Sequence, residues 1–164
     1  MTRLRFTLLA AVLAAGCGGN SLTDPSSNAA FAGTYNLVLI TAGTCSFSAT
    51  YTVPVVVSSA KSDAGLIEVR ATLSGGNSQV DFSFFYTGGS STDIGAGDLT
   101  IESYQTAANN YLSVSAIASG KIAASSSGSR LKASGSASGD LSASSGTNQP
   151  TQCTGFHSWS LNPT

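Results

Sequence analysis

The chain has 164 residues, of which only 9% are charged, and its seven Lys/Arg against eight Asp/Glu leave a formal net charge of −1. Soluble domains usually carry about 25% charged residues, so hydroxyls rather than charges must keep this one hydrated. The charge excludes the basic footprint of a nucleic-acid binder, and Cys45 and Cys153 with the single His157 fall short of four zinc ligands, so no metal and no cofactor is expected.

The chain begins with Arg3 and Arg5 and continues into the apolar run Phe6–Ala15. Positive charge ahead of an apolar run favours retention of that end on the cytoplasmic side. The run is far shorter than the roughly 20 apolar residues that span a bilayer, and its proportions are those of an export signal. It closes as Leu13-Ala14-Ala15-Gly16-Cys17. These residues resemble the lipobox of bacterial lipoproteins, in which small residues precede a cysteine that receives a diacylglyceryl group; Ala14 stands where that family usually has Leu. The resemblance implies a signal peptide over residues 1–16 and acylation of Cys17, with palmitate-type chains, as the first mature residue. It also implies anchoring in the bacterial cell envelope, in the outer membrane where there is one. Two or more acyl chains give stable anchoring. An ordinary signal peptide is the alternative. Residues 17–32 contain Gly18-Gly19-Asn20-Ser21 and Asp24-Pro25-Ser26-Ser27 without periodicity, and read as a flexible tether to one domain over 33–164. Without the leader, five basic and eight acidic residues remain, a net charge of −3.

The body starts with β-forming residues over 34–41, Tyr35, Leu37 and Leu39 sharing a face. The clearest alternation follows: Cys45, Phe47, Ala49, Tyr51, Val53, Val55 and Val57 on one face, Ser46, Ser48, Thr50 and Thr52 on the other. Period two argues a strand with one buried face, and Pro54 marks an edge or a bulge. After a turn at Lys61–Gly65 comes a third strand, Leu66–Leu73, with Ile67, Val69, Ala71 and Leu73 inward. Gly75-Gly76-Asn77 turns into a fourth, Gln79–Thr87, with Val80, Phe82, Phe84 and Tyr86 on one face. A loop is expected over Gly88–Gly97, a fifth strand over Asp98–Tyr104, a helical turn within Gln105–Asn110 and a sixth strand over Tyr111–Ala118. Residues 119–147 are nearly all Ser, Gly and Ala. Disorder is one reading, but weak alternation over Lys121–Ser125, Arg130–Ser138 and Asp140–Ser144 favours thin strands of small residues. Thr154–Leu161 is the last strand.

Many short strands joined by turn residues indicate an all-β domain: an antiparallel up-and-down β-barrel or a β-sandwich of about eight to nine strands. Gly33-Thr34-Tyr35 resembles the Gly-x-Trp that opens the first strand of lipocalins, with Tyr for Trp and with no arginine near Trp159 as the usual partner. If Cys17 is acylated, Cys45 and Cys153 remain as the one intrachain pair, in a compartment that permits disulfides. The bridge would tie the second strand to the last and close a loop of about a hundred residues, worth up to roughly 4–5 kcal/mol.

Candidate chemistry is sparse. Ser58-Ser59-Ala60-Lys61 and Ser129-Arg130-Leu131-Lys132 fit Ser-x-x-Lys by composition, without the companion motifs of the enzymes that use it. Asp93–Asp98 places two carboxylates around glycines but lacks calcium-loop spacing. His157 is the single histidine that a triad could use, with no nucleophile motif nearby, and Glu68, Glu102 and Asp81 are expected outward. Phe85 and Tyr104 are expected on the outer face. No catalytic residue is assigned and the protein is read as a non-enzyme. It either takes a small apolar ligand in a barrel cavity or uses an exposed face to meet an envelope protein or a carbohydrate. A hydrolase stands behind both readings.

Overall fold

The computed structural model describes residues 31–61, 66–75, 78–87, 93–124, 130–146 and 149–164. The leader, Cys17 and the tether up to residue 30 lie outside the described residues, as does Ser129. The described residues form eight strands: β1 (Gly33–Ile40), β2 (Thr50–Lys61), β3 (Ile67–Gly75), β4 (Ser78–Tyr86), β5 (Asp93–Ala107), β6 (Asn110–Ala124), β7 (Leu131–Ser145) and β8 (Thr151–Pro163). Each pairs antiparallel with the next, and β1 pairs with β8 from Tyr35↔Pro163 to Ile40↔Ser158. The sheet is therefore a closed up-and-down barrel rather than a sandwich. Closure removes the unpaired edges that a Ser/Thr sheet would otherwise expose.

The alternation read along the chain sets the two faces. Tyr35, Leu37 and Leu39 of β1, Val53, Val55 and Val57 of β2, and Val80, Phe82, Phe84 and Tyr86 of β4 all point into one buried cluster. Opposite them, β6 and β7 carry only Ala and Gly at the inward mid-barrel positions (Ala116, Ala118 and Gly120; Ala133, Gly135, Ala137 and Gly139), flanked by Leu112, Val114, Ile122, Leu131 and Leu141. Trp159 of β8 bridges the two walls. Its ring lies 4.9 Å from Phe82 edge-on and 5.9 Å from Phe84, while its indole N–H donates to the carbonyls of Ser119 (3.1 Å) and Ser136 (3.2 Å). The indole fits because Gly120, Gly135 and Trp159 occupy one register row. A Cβ on Gly135 would run into the Ser119 carbonyl oxygen, and one on Gly120 into that of Ser134. The backbones of β6 and β7 approach closely there because neither residue carries a side chain.

Strand ends Lys61 and Ile67, Tyr86 and Asp93, and Ala124 and Leu131 lie with Gly33 and Pro163 at one end of the barrel, the entry end. Ile40 and Thr50, Gly75 and Ser78, Ala107 and Asn110, and Ser145 and Thr151 mark the other, the disulfide end. Phe31, just ahead of β1, is fully buried at the entry end, with its ring 5.7 Å from Phe84 and 5.9 Å from Tyr86. There Arg130 packs its guanidinium over Gly33 (φ 122°) and donates to the Thr34 carbonyl at 3.5 Å. An arginine thus reaches the Gly33-Thr34-Tyr35 segment from the start of β7, not from the neighbourhood of Trp159. The Tyr35 hydroxyl donates to the Leu131 carbonyl at 3.1 Å.

Several expected boundaries move. Cys45–Ala49 is not strand: β2 begins at Thr50, and 41–49 is a folded connection in which the Cys45 N–H donates to Ala42 O at 3.0 Å. Alternation persists in it because Cys45, Phe47 and Ala49 are half-buried while Ser46 and Ser48 are exposed. Pro54 pairs with Asn36 on one side only, since the β2–β3 ladder starts at Val56↔Thr72. The fifth and sixth strands reach further than expected and meet in a tight hairpin with Asn109 at φ 60°, with no helical turn. β5 starts at Asp93, inside the expected loop. A bulge at Ser103 (φ 57°) shifts the register between Ile101 and Tyr104, so Tyr104 turns inward instead of outward and packs against the core. The Ser/Gly/Ala stretch contributes the end of β6 and all of β7 as one continuous strand, and the last strand runs from Thr151 to Pro163.

Candidate functional site

Three consecutive inward positions of β8 organise the disulfide end. Cys153 is bonded to Cys45, with Cα atoms 5.5 Å apart and a sequence separation of 108. Gly155 leaves room for Ala42 and Thr44, whose side chains a Cβ there would meet at 2.9 and 3.2 Å. His157, 1% exposed, accepts the Ala42 N–H at Nδ1 (3.1 Å). That leaves its proton on Nε2, which faces the Gly139 carbonyl at 3.3 Å. The bridge thus ties a loop, not the second strand, to β8. The loop is also held from within: the buried Thr41 hydroxyl accepts from Ala49 N–H at 2.9 Å, and Thr41 N–H donates to Ala49 O at 3.1 Å.

Loop 41–49 forms one side of a cup of about 270 Å³ at this mouth. Phe47 from the loop, Tyr51 from β2 and Tyr111 from β6 contribute three rings. Thr106, Asn110, Ser144, Ser145 and Thr151 supply hydroxyl and amide groups, and no lining residue is ionised. The far rim is ordered by hydrogen bonds: Gly146 N–H donates to Asn109 O at 2.8 Å and lies 3.1 Å from Asn110 Oδ1, and Thr106 Oγ1 donates to Asn110 O at 3.3 Å. Burial pushes the Tyr51 phenol above its ordinary value, so it remains a neutral donor. An apolar wall with a few polar groups is the usual chemistry of a small-molecule site, and barrel mouths are a common place for one.

Two larger concavities lie on the outside. A trough of about 590 Å³ runs over β5, β6 and β7, lined by Thr100, Glu102, Ser113, Ser115 and Asp140, and extends to Gln152. A hollow of about 430 Å³ shares Thr100 and Ser115 with it and adds Asp81, Asp98 and Ile117. Both are open; the hollow is mainly polar, while the trough also presents Ile101 and Val114 among its hydroxyls and carboxylates. Thr154 hydrogen-bonds to Asp140 across the strand pair. Phe156 is 74% exposed and Ile117 58%, in one register row with Ser138 between them.

The remaining sequence candidates are scattered. Ser58 and Lys61 stand on β2, and Lys132 on β7, with no shared cleft among the described residues. Asp93 pairs with Lys121 (3.6 Å) on neighbouring strands, and Asp98 lies on β5 rather than in a loop. Glu68 pairs with Arg70 at 3.2 Å. Glu102 and Asp81 face outward as expected, and so does Phe85. His157 is a buried strut between loop 41–49 and β7. The cup residues Thr106, Asn110 and Tyr111 had no sequence signal, because only the β5–β6 hairpin brings them beside Tyr51. Compared with protein-family models, with curated proteins and with solved structures, the chain matches none.

Proposed function

We propose that this is an exported, lipid-anchored envelope protein without enzymatic activity, whose barrel mouth binds a small, neutral, largely apolar ligand. The observation that carries this reading is the cup itself: Phe47, Tyr51 and Tyr111 converge with uncharged hydroxyl and amide groups beneath a loop cross-linked to β8. The barrel centre is occupied by Phe82, Phe84 and Trp159, so the ligand sits in the mouth rather than deep inside. Rings supply a flat apolar contact, and unionised donors favour a neutral partner over an ion. A neutral apolar fluorophore such as N-phenyl-1-naphthylamine tests it. Saturable binding is expected, weakened at least about tenfold in Tyr51→Ser/Tyr111→Ser protein that keeps its near-ultraviolet spectrum. Absence of saturable binding overturns it. Intact mass spectrometry of membrane-extracted protein tests the anchor: an acylated Cys17 at the mature N-terminus is expected, and any other N-terminus removes that part.

A second reading rests on the exposed Phe156 and Ile117 beside the hydroxyl-lined trough. A carbohydrate could stack on that phenyl ring. Glycan-array binding abolished by Phe156→Ser, with the mouth intact, would favour it over the cup.

A further inference from the structure

We infer that the entry end of the barrel docks on an anionic phospholipid surface, so that the mouth with its cup points away from the membrane. The inference rests on the reading of Cys17 as the anchor. Phe31 is buried at the entry end and lies 14 positions after Cys17, so the anchored chain joins the barrel there. At most about 50 Å of extended chain separates the two.

Charge is divided along the same axis. Lys61 ends β2, Arg130 immediately precedes β7, Lys132 is its second residue, and Lys121 lies three residues before the end of β6. All four are at or near the entry end; Lys121 is paired with Asp93, so Lys61, Arg130 and Lys132 are the cations there without a carboxylate partner among the described residues. The carboxylates at that end, Glu68 and Asp93, are partnered by Arg70 and Lys121, and Asp63 lies outside the described residues. In the half towards the disulfide end stand Asp81, Glu102 and Asp140, with Asp98 near mid-barrel. None of these four has a Lys or Arg ion-pair partner among the described residues. An anionic leaflet attracts basic groups within a Debye length of about 8–10 Å and repels carboxylates brought equally close. The tether delivers the barrel to the membrane by its cationic end, and the carboxylates disfavour the inverted or sideways pose.

The test uses the chain from residue 17 onward with Cys17→Ser, sedimented with phosphatidylcholine vesicles with or without phosphatidylglycerol. Binding is expected only with phosphatidylglycerol and is lost in added salt. It should weaken at least about tenfold in Lys61→Gln/Lys121→Gln/Lys132→Gln protein and stay unchanged or strengthen in Asp81→Asn/Asp140→Asn protein. Equal binding to both vesicles, no binding at low salt, or indifference to the lysine substitutions overturns the docking. If Cys17 is acylated while the Cys17→Ser chain shows no lipid preference, the docking alone fails. If the lipid preference holds while Cys17 is not acylated in the cell, the anchor alone fails.

Discussion

The inward positions of β4 are Val80, Phe82, Phe84 and Tyr86; those of β7 are Leu131, Ala133, Gly135, Ala137, Gly139 and Leu141. Both walls enclose the same interior, and their side chains differ by more than a ring's volume at mid-barrel. A barrel of a given strand number has a set cross-section, and interiors pack to near-crystalline density. Bulk on one wall therefore requires its absence on the other. Trp159 makes the exchange concrete, with its ring against Phe82 and its N–H on the backbone of the thin wall. A Ser/Gly/Ala stretch that looks like a solvated tail is an ordered wall here because large residues face it.

The comparison can be broken where the two walls are tied together. Replacing Cys45 and Cys153 by Ser releases a separation of 108 residues, and urea unfolding should show a loss approaching about 4–5 kcal/mol; a loss below 1 kcal/mol would mean that β1–β8 pairing alone holds the loop. On the thick wall, Phe84→Ala should cost about 3–5 kcal/mol, because Phe31, Phe82 and Trp159 cannot all collapse into the void. On the thin wall the sign of tolerance reverses: Gly135→Ala adds a single methyl yet should cost about 1–3 kcal/mol through its clash with Ser119. A neutral or stabilising Gly135→Ala would show that the close approach of β6 and β7 is not required.

The smallest effect at neutral pH belongs to the seam between the walls. Tyr35→Phe removes one hydrogen bond to Leu131, about 1 kcal/mol. Its pH signature is more diagnostic. Burial pushes the Tyr35 phenol up to about 12, with the Arg130 guanidinium pulling it part-way back. In the unfolded chain the phenol ionises near its ordinary value of about 10. Between those values the unfolded chain binds fewer protons than the folded one, so stability falls as pH rises from about 10 to 12, by about 2–3 kcal/mol in all. Tyr35→Phe should flatten that alkaline loss; an unchanged slope would assign it to other groups.

Period-two alternation made the interior legible. The inward residues expected on β1, β3 and β4 are buried, except Leu73, which is partly buried and packs against the core, because side-chain parity is a local property of extended backbone. The same local signal misled at Cys45–Ala49, where a loop packed against the mouth buries alternate residues without strand pairing. It also missed the inward turn of Tyr104, because a bulge at Ser103 reverses parity without changing composition. The cup was legible only in part: Phe47 and Tyr51 stood on the apolar face of their segment, while Thr106 and Asn110 sat in an expected connection and Tyr111 opened the next expected strand with no sign that it lines the mouth.

The order of residues by itself determined which side chains face in along the regular strands, that the body is all-β, and which two cysteines of the body could pair. Those follow from backbone sterics and from counting. Only the tertiary structure decided that the sheet closes, that β7 is one strand, and that β8 holds loop 41–49 through Cys153, Gly155 and His157. Closure and the mouth depend on contacts between residues more than a hundred positions apart, and no local pattern encodes such distances.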